Sequence, residues 1–81
     1  MSLTGRYVAC LDRADREVVF RVVATAIAPE TTRRVPAGEW SLLVIADDGS
    51  LQEIRASEAR LLGTAETKRL IRNQRRRKAS L

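Results

Sequence analysis

Residues 40–55 read Trp40-Ser41-Leu42-Leu43-Val44-Ile45-Ala46-Asp47-Asp48-Gly49-Ser50-Leu51-Gln52-Glu53-Ile54-Arg55. The stretch from Trp40 to Ala46 is apolar on both faces of an extended chain, as a central strand requires, and Asp48-Gly49 is the strongest short hairpin signal in the sequence. With those two residues as the turn, Ile45 faces Gln52 and Leu43 faces Ile54. The other face pairs Val44 with Glu53 and Leu42 with Arg55, which makes the second strand an edge guarded by charge.

Working outward, Val18 to Ile27 also alternates. Val18, Phe20, Val22, Ala24 and Ala26 form an apolar face, while Glu17, Val19, Arg21, Val23, Thr25 and Ile27 form a mixed one. The residues Val18, Val19, Val22, Val23, Ala26 and Ile27 fit helical spacing as well; the density of β-branched side chains favours the strand. Upstream, Tyr7, Ala9 and Leu11 alternate with Arg6, Val8 and Cys10 until Asp12-Arg13-Ala14-Asp15-Arg16, which has turn chemistry. Ala28 to Glu39, with two prolines and a glycine, reads as a long exposed loop. Ser57 to Leu62 fits a short helical turn or a fifth strand, closed by Gly63. The expected fold is mainly β: a small SH3-like or Sm-like barrel, or an open four- to five-stranded meander, with a basic C-terminal helical segment.

The charge divides with the chain. Of 81 residues, 1–63 hold eight arginines and nine acids, whereas 64–81 hold Lys68, Arg69, Arg72, Arg75, Arg76, Arg77 and Lys78 against Glu66 alone. A small β-rich domain over 1–63 and an arginine-rich helix or tail over 64–81 follow. At roughly 100° per residue, Lys68, Arg69, Arg72, Arg75 and Arg76 share an arc of about 120°, opposite a narrow seam of Thr67, Leu70, Ile71 and Gln74. Such a segment is marginal as an isolated helix, so it is expected to stay detached and frayed until its charge is neutralised.

Guanidinium groups bond phosphate oxygens in bidentate fashion, and a stripe one helix face wide can follow a groove or a strand. Nucleic acid, DNA or RNA, is therefore the expected partner of Lys68, Arg69, Arg72, Arg75, Arg76, Arg77 and Lys78, with Arg33 and Arg34 adding phosphate contacts from the long loop. The competing readings are docking to an acidic protein or a membrane, and a tail that only aids solubility. The doubly apolar Trp40 to Ala46 strand also allows a homodimer or strand addition.

Chemistry finds little purchase in the rest. Asp12, Asp15, Asp47 and Asp48 sit in expected turns, and Cys10 alternates into a strand without a histidine to activate it, the chain having none. No catalytic residues, metal ligands or cofactor are expected. Tyr7, Phe20 and Trp40 are expected to fill the core instead of stacking on bases. The uncharged runs are too short to span a bilayer and no signal-peptide pattern opens the chain, so a cytoplasmic accessory or regulatory protein is the expectation.

Overall fold

In the computed structural model, residues 3–79 are described, without side chains at 78 and 79. The alternating segments become five strands, namely β1 (Tyr7–Leu11), β2 (Glu17–Ile27), β3 (Trp40–Ile45), β4 (Leu51–Arg55) and β5 (Arg60–Leu61). A 3-10 turn at Ala56–Glu58 precedes β5, and the helix α1 (Thr64–Ala79) ends the described chain. All pairings are antiparallel in one open sheet of order β4-β3-β2-β1-β5, so β3 lies inside the sheet and β4 at an edge. The helical alternative for 18–27 is set aside, and the stretch after Ser57 supplies both a turn and a strand.

The hairpin register differs by one residue from the expected one. Leu42 faces Ile54, Leu43 faces Glu53, Val44 faces Gln52 and Ile45 faces Leu51. The reason lies in the turn. A two-residue type I′ turn needs positive φ at both central residues, yet Gly49 has φ +88° and Asp48 is not left-handed. Instead Ala46 N–H donates to Ser50 O at 2.9 Å and Gly49 N–H to Ala46 O at 3.0 Å, which closes a three-residue loop. The Asp48 carboxylate holds it by accepting from the Ser50 N–H and hydroxyl at 3.0 and 2.7 Å. A one-residue slip exchanges faces, so Ile54 joins Leu42 in the core and Glu53 and Arg55 turn the other way.

β2 also departs from strict alternation. Val22 opposes Val44 but Ala24 opposes Leu43, leaving Val23 as a bulge. Val18, Phe20 and Val22 keep the expected inner face. Past the bulge Thr25 and Ile27 take it over, opposite Leu42 and Trp40, and the expected continuation through Ala24 and Ala26 fails because the extra residue reverses the parity.

The inner face holds the larger core, formed by Val8, Phe20, Val22, Leu42, Val44 and Ile54, with Ala56 and Ala59 packed against it. Those two alanines show how the face is closed. β4 and β5 are opposite edges, about 19 Å apart if five strands lay flat at ~4.8 Å spacing. The link from Arg55 to Arg60 includes the 3-10 turn and spans well under the ~17 Å of a fully extended chain. The sheet must therefore curl, with the link crossing its open side, although no ladder joins β4 to β5.

The 28–39 loop is not wholly exposed, since Ala28 and Val35 are buried. Ala28 N–H donates to Glu39 O and Gly38 N–H to Ala28 O, pinching the loop's base, while the Thr32 hydroxyl donates to Glu53 of β4 at 2.6 Å. The loop thus lies along the edge strand. The first turn behaves as its aspartate suggested: the Asp12 carboxylate accepts N–H bonds from Ala14 and Arg16 at 2.8 and 3.0 Å, and these bonds hold its pKa below the ordinary value.

Candidate nucleic-acid interface

α1 packs on the face of the sheet opposite the larger core. Leu70 and Ile71 rest on Ala9, Val19 and Leu62, while Thr67 and Gln74 are buried. This is the seam expected from the helical wheel. The expectation of a detached segment is not met, because the sheet contributes apolar partners that the segment itself lacks. The Thr67 hydroxyl donates to Gly63 O at 2.8 Å, and Arg60 bridges Glu17 of β2 and Glu66 in the first turn of α1. These two hydrogen-bonded carboxylates raise the Arg60 pKa.

Gln74 explains the orientation of the helix. Val22 exchanges hydrogen bonds with Gly5 and Arg6 on the β1 side, so by alternation the Val19 amide points toward β3. There β3 has already left the ladder, whose first pair is Arg21 with Ile45. The orphaned Val19 N–H donates to Gln74 Oε1 at 3.1 Å, and Gln74 is only 9% exposed. Gln74→Leu removes this acceptor from a buried donor and should cost about 1–3 kcal/mol. Asn73→Ala, at an exposed neighbour, should stay within about 0.5 kcal/mol. Chemical denaturation of the two variants checks this; equal midpoints would show that the bond contributes nothing.

With the seam turned inward, Lys68, Arg69, Arg72 and Arg76 are exposed on the outward side. Arg69 lies 3.7 Å from Glu66, a loose i,i+3 pair. Arg75 stands at the flank of the stripe, where Nε and Nη2 donate to Asp47 at 3.4 and 3.2 Å, and this bond raises its pKa. Arg77 falls nearer the sheet and donates to the Glu17 carbonyl at 3.4 Å. The expected contacts are therefore not equivalent: Arg75 and Arg77 also hold the helix to the sheet. Lys78 belongs to α1, but its side chain lies outside the described residues.

Arg33 and Arg34 are not brought to the helix. Both are exposed on the long loop, and Arg34 shares a cleft with Cys10, Phe20 and Gln52, whose side chains belong to the inner face. Burial raises the Cys10 pKa, with Glu58 adding to the effect.

Residues not anticipated as binding groups do reach the helix. Tyr7, on β1, is 37% exposed, and its cross-strand partner Arg21 is exposed beside it. Tyr7 also lines a cleft of about 500 Å³ shared with Arg6 and Lys68. The expectation that the aromatics fill the core holds for Phe20 alone, since Trp40 is 54% exposed at the mouth of the sheet. Alternation placed Tyr7 and Arg21 on strand faces, but which faces meet across β1 and β2 depends on their register.

Among the described residues, no cluster of His, Cys, Asp and Glu could hold a metal ion, and no helix is long and apolar enough to cross a membrane. In comparisons with known proteins, the chain matches no family model, no curated protein and no solved structure.

Proposed function

We propose that the protein binds nucleic acid chiefly through backbone phosphates, with the outward face of α1 as its contact surface. One observation carries this reading. The helix docks through Thr67, Leu70, Ile71 and Gln74, which leaves Lys68, Arg69, Arg72 and Arg76 turned to solvent on a rigid support. A supported stripe loses less conformational freedom on binding than a frayed one. The role is that of a small accessory or regulatory protein of the cytoplasm, with no catalytic function. The curled five-stranded sheet is read as an SH3-like or Sm-like barrel in which the last seam has not closed.

If the four outward cations each neutralise one phosphate, log Kd should change with log salt with a slope of about 3.6 on duplex DNA and about 2.8 on a single strand. Titration of the intact protein against both at several salt concentrations measures this. Absence of binding to either at low salt, where nonspecific attraction is strongest, ends the proposal.

A second reading has its own support. Leu43 and Leu51 lie on the sheet face beyond the helix and are 38% and 61% exposed, which suits a homodimer or a protein partner. Self-association in sedimentation together with no nucleic-acid affinity would favour that reading.

A further inference from the structure

α1 covers only one end of its sheet face. The covered row is Ala9 and Val19; the next row, Tyr7, Arg21, Ile45 and Leu51, runs across four strands beside the flank of the helix. Between that row and the helix lie two adjoining clefts, of about 200 and 500 Å³, and Tyr7 and Ile71 line both. Arg21 and Arg75 line the first, Arg6 and Lys68 the second. Among the described residues, Asp47, paired with Arg75, is the one carboxylate along either. The result is a groove with an aromatic ring at its middle and two cations toward each end.

We infer that this groove holds a single strand of DNA or RNA, with one base stacked on Tyr7 and the flanking phosphates on Arg6 and Lys68 at one end and on Arg21 and Arg75 at the other. The inference rests on the nucleic-acid reading of α1 and extends it from the outward face to the flank beside the sheet, with Lys68 common to both surfaces. Three features favour it. The Tyr7 ring is held by a strand whose backbone is bonded on both sides, including Leu62 N–H to Tyr7 O at 3.0 Å, so stacking orders little that is not already ordered. A duplex keeps its bases stacked against one another, whereas a single strand can offer a base face to a recessed ring. The order of cations, ring and cations along the groove follows the phosphate–base–phosphate order of a single strand, and the Arg75–Asp47 contact is long and two-thirds exposed on the arginine side, so it can be exchanged for a phosphate.

The test uses the full chain and two fluorescent probes, an oligothymidylate of about 15 nucleotides and a duplex of equal length. Tyr7→Leu should weaken single-strand binding roughly 5- to 150-fold, the range expected for one lost stacking contact, and leave duplex affinity and both salt slopes unchanged. Tyr7→Phe should retain wild-type affinity. Arg6→Gln combined with Arg21→Gln, at exposed positions that leave the core intact, should reduce the single-strand slope by about 1.4. Wild-type single-strand binding by both Tyr7→Leu and the double variant, with binding still lost on substitution in α1, would overturn the groove and spare the helix reading. Failure of the wild-type protein to bind either probe would overturn both. Displacement of the oligothymidylate by polyglutamate at equal charge concentration would identify the groove as a site for acidic peptides and also overturn the inference.

Discussion

Replacing Arg72 and Arg76 with alanine should weaken duplex binding to a similar degree for every sequence and lower the salt slope by about 1.8. On the wheel both lie near the middle of the outward arc, and neither belongs to the seam that meets the sheet. Alanine is a stronger helix former than arginine, so the substitutions should not unwind α1. Wild-type affinity should fall roughly 150-fold between about 50 and 200 mM salt, and that of the variant only roughly 12-fold over the same range. A variant that kept the wild-type slope would remove these residues from the interface, whatever its affinity. Arg75→Ala gives a different signature, because it also releases Asp47 and thereby changes the contact between helix and sheet.

Truncation after Gly63 should leave a cooperative but weaker domain. Among the described residues, the larger core, Val8, Phe20, Val22, Leu42, Val44 and Ile54, contains none from α1. The smaller one does not survive: Ala9, Val19 and Leu62 lose the cover of Leu70 and Ile71, and the Val19 amide loses Gln74. Re-exposing two large aliphatic side chains, partly offset by the freedom the helix regains, should cost on the order of 3 kcal/mol, or roughly 12–24 °C in Tm. Thermal melting followed by circular dichroism measures the change. An unchanged Tm would mean that the helix rests on the sheet without stabilising it. A fragment without an unfolding transition would show that the sheet needs its second layer to fold.

Most of the architecture is legible along the chain. Alternation located β1 to β4, the charges of Glu53 and Arg55 marked β4 as an edge, and the wheel separated the seam of α1 from its stripe. What escaped is the relation between elements. One extra residue at Val23 exchanged Ala24 and Ala26 for Thr25 and Ile27 on the inner face. One extra loop residue moved Ile54 from opposite Leu43 to opposite Leu42. Neither leaves a clear local mark, because Val23 is as good a strand residue as its neighbours and Asp48-Gly49 serves both two- and three-residue turns.

The sequence by itself located β1, β3 and β4, favoured a strand over a helix at 18–27, and placed five cations of the C-terminal segment on one side of a helix if it forms one, since these follow from backbone preference and from the periods of 2 and 3.6 residues that local chemistry imposes. Only the tertiary structure decided that α1 is docked, that Gln74 completes the hydrogen bonding of a strand 55 residues away, and that Tyr7, Arg21 and Lys68 border one groove. The physical reason is that a buried amide left without a ladder partner and an apolar patch left uncovered are properties of the assembled sheet. They arise only once β3 turns away from β2 at Ala46, and the seam of α1 is then the part of the chain that satisfies both.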